Sequence, residues 1–458
     1  MNIPENLIEK YNVPVPRYTS YPPANFFSSE YSEEEYRKAV ALSNTEEPQN
    51  ISIYLHIPFC PVLCHYCGCN THITRNELLK ENYLLALKKE IDLLKPLLDG
   101  SRKVSQIHWG GGTPNSLRAD QIEDIMMFIR KRFRFIDHPE IAIECNPAHL
   151  DHAYVDKLLN LGFNRISLGI QDFSEQVLKT VNREIPVIPA REFVAQIKSS
   201  GMAKVNLDFI YGLPLQTVDS FRQTMEKAVD LQPDRLVTFS YAHVPNIKKS
   251  QKILEKAGLT PPSEKIRMFE NTYRMMKNAG YVPIGLDHFA REEDELSLAL
   301  KNRSLHRNFQ GYCTRETTGQ VYAFGSTGIS QLENGYAQNA KNVGRYMELV
   351  NQGKLTTEKG YSLSLEQKVI RHIITEIMCN QFISWEETSE KFCLSESEIK
   401  NITAYDEPML KEFLDDQLLT ITRDAVTITE LGRFFVRNIA ASFDPGLSKS
   451  AKTFSKAL

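Results

Sequence analysis

From Ile51 onward, short apolar runs alternate with longer amphipathic stretches. The runs at 51–56 (ISIYLH), 104–109 (VSQIHW), 140–145 (EIAIEC), 165–170 (RISLGI), 204–209 (KVNLDF) and 235–240 (RLVTFS) have the length and residue types of buried strands. A seventh candidate lies at 281–286 (YVPIGL). Between the runs, apolar residues recur at helical spacing over 76–96, 119–133 and 218–230. Strand–helix alternation of this kind predicts parallel βαβ units and an α/β fold. Six such units point to a barrel, complete or partial, rather than an open sheet.

The strand ends sharpen that expectation. Each run passes at once into residues unsuited to a core: His56-Ile57-Pro58, Gly110-Gly111-Gly112-Thr113-Pro114, Glu144-Cys145-Asn146-Pro147, Gln171-Asp172-Phe173, Asp208 with Tyr211-Gly212-Leu213-Pro214, and Tyr241-Ala242-His243-Val244-Pro245. In a parallel barrel all six converge on the C-terminal rim, where catalytic groups sit. Turn formation explains one or two of them. It does not explain Glu144, Gln171 and Asp208, which are costly at buried strand ends unless something binds them.

The flanks divide the rest. Residues 1–48 read as an extended arm with a short helix around Ser32–Ser43, 49–290 as the barrel core, 291–360 as a barrel-associated extension, and 361–458 as a smaller C-terminal domain. In that domain 364–384, 385–401 and 404–415 have helical patterns, 417–429 is a strand-like hairpin, and a last helix begins at Glu430. Three helices and a hairpin resemble a winged helix, a fold that binds DNA in other settings. Here 407–416 reads EPMLKEFLDD and the chain carries a formal net charge of −3. No basic face is present for a nucleic acid, so the expected role is a lid or a packing unit.

With 42% apolar and 24% charged residues, the 458-residue chain has ordinary globular composition. No run approaches the length of a membrane-spanning helix. The N-terminus lacks the basic start and apolar stretch of a signal peptide. A cytoplasmic location is therefore expected, where the eight cysteines stay reduced. Cys145, Cys313, Cys379 and Cys393 are scattered and read as small core residues.

The other four fall within ten residues, Cys60-Pro61-Val62-Leu63-Cys64-His65-Tyr66-Cys67-Gly68-Cys69. Clustered thiolates suit iron–sulfur clusters and zinc. Three sulfurs on one short loop can hold three corners of a cubane. If Cys69 stays out, one iron remains open to a further ligand. The alternative is a Cys₄ zinc knuckle, but structural zinc sites come as two well-separated pairs, and Cys67-Gly68-Cys69 is cramped for a tetrahedral ion.

The C-x3-C-x2-C spacing after a first strand, with Tyr66 before the third cysteine, resembles the signature of the radical SAM superfamily. The segments PRYTSYP (Pro16–Pro22), YLHIPFC (Tyr54–Cys60), GGGTP, VNRE (Val181–Glu184), YGLP, YAHVP, DHFAR (Asp287–Arg291), HRNFQGY (His306–Tyr312) and YAQN (Tyr336–Asn339), with Cys69, extend the match. Over nearly the whole chain, loosening between 345 and 425, the sequence is similar to the oxygen-independent coproporphyrinogen III oxidases. That resemblance implies a radical SAM barrel and one [4Fe-4S] cluster on Cys60, Cys64 and Cys67. It also implies S-adenosylmethionine (SAM), two molecules of it. Tyr54, Gly111, Glu144, Ala242 and Ile329 match residues around the SAM at the cluster. Tyr66, Gly112, Thr113, Gln171, Arg183 and Asp208 match those around the second. Gly110–Gly112 would offer backbone N–H and C=O groups to the methionyl part. Glu144-Cys145-Asn146-Pro147 departs mildly from the family pattern.

The implied reaction converts two propionates of coproporphyrinogen III to vinyls, giving protoporphyrinogen IX. No catalytic side chain is assigned beyond the cluster and the SAM-derived radical. Phe309 and Gln310 are expected to face substrate. An electron donor of flavodoxin or ferredoxin type, an electron acceptor and a monomeric state are expected, with no nucleic acid or membrane partner. Rival readings are a haem-binding chaperone relative, which typically lacks the PRYTSYP arm and the fourth cysteine, and a SAM-dependent radical methyltransferase.

Overall fold

The computed structural model describes residues 3–314, 319–447 and 454. Six parallel strands form its centre: β1 (Ile51–Ile57), β2 (Lys103–Gly111), β3 (Arg134–Cys145), β4 (Arg165–Gln171), β5 (Lys204–Tyr211) and β6 (Arg235–Ser240). Each is followed by a helix: α1 (Glu77–Leu94), α2 (Ala119–Arg130), α3 (His152–Asn160), α4 (Ala190–Ser200), α5 (Val218–Asp230) and α6 (Pro262–Asn278). Local chemistry sets the helix ends. Asn76, Asp151 and Thr217 accept from backbone N–H groups as N-caps, and Gly201 stops α4 with φ 63°.

The sheet does not close. On one side it continues through β7 (Tyr281–Ile284) and β8 (His288–Arg291), on the other through β9 (Gln320–Phe324), β10 (Ile329–Leu332), β11 (Gly335–Asn339) and β12 (Thr357–Ser362), in the order β12-β11-β10-β9-β1-β2-β3-β4-β5-β6-β8-β7. The fold is thus an open α/β barrel of six βα units. The expected seventh strand is not a seventh unit: β7 ends at Ile284 and reaches β6 only through β8, antiparallel. β3 starts at Arg134, earlier than its apolar stretch suggests.

Glu90 pins α1 to the β9 side of the sheet. Its carboxylate accepts from Gly325 N–H (2.8 Å), Asn339 Nδ2 (2.7 Å) and Tyr346 Oη (2.7 Å). Burial pushes Glu90 up to about 7, against those donors. The native state therefore holds an extra proton between the ordinary carboxylate range and about 7. This group's contribution to stability falls as pH rises through that window and levels off above it. Glu90→Gln is expected to flatten that slope and to cost about 1–3 kcal/mol, because an amide –NH₂ then faces donors. Urea denaturation below and above the window measures both effects.

The C-terminal segment differs from its expected layout. The helical pattern over 364–384 splits into a helix at Leu365–Thr375, a wide turn at Glu376–Asn380 and a strand at Phe382–Ser384. Gln381, at φ 57°, makes the break. The new strand joins Leu419–Ile421 and Ala425–Ile428, so the sheet has three strands rather than a two-stranded hairpin. The 385–401 stretch is two helices, Trp385–Phe392 and Glu396–Ile402, separated at Cys393 with φ 54°. Cys393 is exposed, contrary to the core reading, whereas Cys145, Cys313 and Cys379 are buried. The last helix starts later than Glu430, as a tight turn at Gly432–Phe435 running into Val436–Ala441.

The arm carries an unforeseen helix, Glu5–Tyr11, besides Glu33–Leu42. Arg437 donates to the carbonyls of Pro16 and Val15, and Tyr18 and Tyr21 both donate to Asp444. The PRYTSYP segment is thereby stitched to the C-terminal helix. Among the described residues no helix is long and apolar enough to cross a membrane.

Candidate active site

A cavity of about 650 Å³ opens at the C-terminal ends of β1–β6. The loop after β1 places Cys60, Cys64, Cys67 and Cys69 on its wall. All four thiols are free, the first three half-buried and Cys69 exposed. Contacts from distant segments hold the loop. His65 N–H donates to Val181 O (2.9 Å), Asn182 Nδ2 to Leu63 O (2.8 Å), Gln251 Nε2 to Tyr66 O (3.1 Å) and Lys248 Nζ to Cys69 O (2.6 Å). The VNRE segment thus serves partly as a clamp on the cysteine loop.

The thiols are electrostatically unequal. Burial pushes Cys60 up to about 11, although Thr113 Oγ1 lies 3.2 Å from its sulfur. A hydrogen bond with Cys69 draws Cys67 down to about 6. Three soft donors on one short loop, opening into a roomy cavity, suit a cubane. Among the described residues no three His, Cys, Asp or Glu side chains gather at single-ion spacing.

Opposite the loop, the strand ends supply polar groups. Glu144 accepts from His108 Nε2 at 2.9 Å. Asp208 accepts from Ser167 Oγ (2.7 Å) and Asn206 Nδ2 (2.9 Å), and burial pushes it up to about 6. Asn206 Oδ1 is buried without a partner, an acceptor left for a ligand. Arg183 donates to Gly169 O (2.6 Å) and lies 3.9 Å from Cys64 Sγ. Gln171 sits in the left-handed region at φ 68°, where β4 shifts register against β5. A Cβ on Gly169 would come 2.8 Å from Gln171 Nε2 and 3.1 Å from Arg183 Nη2, so the glycine makes room for both.

Part of the glycine strip is engaged within the protein itself. Gly112 N–H is already given to Ile57 O at 2.8 Å. A Cβ there would meet Pro58 O at 2.6 Å, and one on Gly111 (φ 111°) would meet the His56 ring at 2.6 Å. These glycines let β2 lie against the start of the cysteine loop, with Gly111, Gly112 and Thr113 facing the cavity. His56 is a positioning group. Its burial brings it down to about 4, so it is neutral, with its ring nitrogens 3.1 Å from Tyr54 Oη and Asn70 O.

The cavity brings together Tyr66, Gly111, Gly112, Thr113, Glu144, Gln171, Arg183, Asp208 and Ala242, and also Phe309 and Gln310. Tyr54 and Ile329 are not on its wall. Tyr54 lies behind, with its ring 5.9 Å from that of His108, and Ile329 begins β10. Sequence reasoning missed Arg17, Gln106, His108, Ser167, Asn206 and His288, which also line the cavity. Gln106, His108 and Asn206 were signalled by polar residues two apart in otherwise apolar strands (Gln106/His108, Asn206/Asp208), and Ser167 by its hydroxyl two residues before Gly169, which puts all four on the inner face.

Residues 54–228 match the Radical SAM superfamily model. The chain is 40% identical to an oxygen-independent coproporphyrinogen III oxidase of Synechocystis sp. over 99% of its own length and 97% of that protein. The chain belongs to the oxygen-independent coproporphyrinogen III oxidase family. The Escherichia coli enzyme of the same name is 38% identical over 97% of this chain and 96% of its own. The solved structure of coproporphyrinogen III oxidase from Escherichia coli, described as a radical SAM enzyme, superposes with a TM-score of 0.90 at 36% identity. It covers 98% of this chain and all of that one. As a radical SAM family member the chain uses a [4Fe-4S] cluster and SAM, and the thiol loop and its facing acceptors fit them.

Proposed function

We propose that this chain oxidatively decarboxylates two propionates of coproporphyrinogen III to vinyls, yielding protoporphyrinogen IX. The observation that carries the reading is full-length family membership combined with three free thiols facing Glu144 and Asp208 across one cavity. Bound cluster and SAM supply a radical able to remove hydrogen from an unactivated propionate β-carbon, chemistry no side chain can perform.

The residues hold, orient and shield. Cys60, Cys64 and Cys67 bind the cluster as thiolates, and Cys69 stays free of it. Tyr54, Gly111, Glu144, Ala242 and Ile329 surround one SAM, Tyr54 and Ile329 from behind the wall. Tyr66, Gly112, Thr113, Gln171, Arg183 and Asp208 surround a second. Glu144 and Asp208 accept from ribose hydroxyls or the amine, and Arg183 forks onto a carboxylate. Asp208 accepts more strongly when ionised, so SAM binding should weaken as pH falls through about 6. An external one-electron donor of flavodoxin or ferredoxin type and a separate acceptor complete the cycle. The arm and Cys69, which a haem-chaperone relative typically lacks, are both part of the cavity wall here.

Anaerobic incubation with coproporphyrinogen III, SAM and a reductant tests the reading. Mass spectrometry is expected to show two successive losses of CO₂ with two hydrogens each. Haem binding without CO₂ release, or methyl transfer to carbon, would refute it.

A further inference from the structure

A second cavity, of about 820 Å³, adjoins the first. The two share Arg17, Ser240, Tyr241, Ala242, Val244 and His288 as common wall. The second is built by three separate parts of the chain: the arm with Arg17, the barrel end with Lys265 of α6, and the C-terminal turn and helix with Arg433 and Arg437. Its other walls are largely aromatic, with Tyr211 stacked on Phe269 at 5.9 Å and Phe434 edge-on to Phe269 at 5.7 Å.

The charge of this chamber is unlike that of the chain. Its described lining carries Arg17, Lys265, Arg433 and Arg437 against Asp287, although the whole protein is acidic by three charges. Asp287 is engaged already, with His288 Nδ1 at 2.7 Å and an Arg17 nitrogen at 3.6 Å. Arg437 spends its donors on the arm carbonyls. The other cations keep capacity. Lys265 gives one hydrogen to Tyr241 O at 2.8 Å. Arg433 gives one to Pro283 O at 2.6 Å, and its Nε is buried without an acceptor. Burial and the neighbouring Arg17 both press Lys265 down from the ordinary lysine range, a cost that a bound anion would relieve.

The ligand such a chamber fits has broad apolar faces and several carboxylates. The first cavity, of about 650 Å³, is the one whose walls carry the cluster and SAM residues, so a macrocycle needs room beside it, and the adjoining chamber supplies that room. We infer that the second chamber seats the tetrapyrrole body, with Arg17, Lys265 and Arg433 taking carboxylates of propionates that are not reacting. The reacting propionate then passes Ser240–Ala242 and His288 into the first cavity. This rests on the function proposed above and adds to it where the macrocycle lies and which residues read its charge.

The test is a fluorescence titration of the anaerobic holoenzyme with coproporphyrin III, which bears four carboxylates and does not turn over, and with mesoporphyrin IX, which bears two. Lys265→Met and Arg433→Met are each expected to weaken coproporphyrin III binding on the order of 10-fold or more. Mesoporphyrin IX should lose less, and Lys265→Arg should recover most of the loss. Iron content and melting temperature certify each variant. Should Arg433→Met fail to fold, the Lys265 pair decides. Wild-type coproporphyrin affinity in the Met variants overturns the seat while leaving the function intact. Failure of the unmutated holoenzyme to bind coproporphyrin III at all overturns the function as well.

Discussion

Replacing Cys60, Cys64 or Cys67 by serine is expected to abolish the brown iron–sulfur absorbance and all SAM cleavage, whereas Cys69→Ser keeps the cluster. The asymmetry follows from position as well as from family. The first three thiols are half-buried on the cavity wall, on a loop fastened through Leu63, His65 and Tyr66 to segments far away in the chain. Losing one leaves two thiolates for a cubane that needs three from the protein, and a serine hydroxyl is a hard, poor substitute. Cys69 is exposed and its sulfur hydrogen-bonds to Cys67, so its removal alters the neighbour's acidity rather than the ligand count. Iron and sulfide analysis with the visible spectrum distinguishes the four variants. Loss of the cluster in Cys69→Ser alone would move the ligand set one residue pair along.

The second large effect is expected at Gly112. A methyl group there would lie 2.6 Å from Pro58 O and 3.0 Å from Ile57 O, both backbone atoms at the root of the cysteine loop. Neither can step aside without breaking the Gly112 N–H to Ile57 O and Thr113 N–H to Phe59 O bonds that join the two strands. Gly112→Ala should therefore push the loop and the Thr113 side of the cavity apart. The expected cost is about 1–3 kcal/mol in stability, and turnover should fall on the order of 100-fold, as for displacement of reacting groups by about 1 Å. Gly68, also in the loop, has nothing within 4 Å of the corresponding position. Gly68→Ala should keep the wild-type melting temperature. Denaturation curves and single-turnover SAM cleavage measure the contrast.

What could be read in the sequence was what short-range chemistry determines. Buried parallel strands are near-continuous apolar runs, so β1 to β6 stood out. The cysteines and the polar residues at the strand ends identified the rim that carries the site. Features set by tertiary context did not show. The left-handed Gln171 and the space for it over Gly169 depend on the register shift between β4 and β5. Phe382–Ser384 was hidden inside a helical pattern, because three residues carry too little periodicity to compete with it. Arg17 lies in the PRYTSYP motif, but its place on the cavity wall did not show, since the contacts that hold the arm come from Arg437 and Asp444 at the other end of the chain. The glycine strip was legible as a close approach, but what approaches it is the protein itself: the Glu144 carboxylate at Gly110, the His56 ring at Gly111 and the Pro58 backbone at Gly112.

The most direct measurement is the metal content of anaerobically reconstituted protein, taken with its electron paramagnetic resonance spectrum before and after SAM is added. The account predicts about four iron and four sulfide per chain, a reduced-cluster signal that shifts on SAM binding, and loss of both in the Cys64→Ser variant. One zinc per chain without sulfide, or a cluster signal indifferent to SAM, would contradict it.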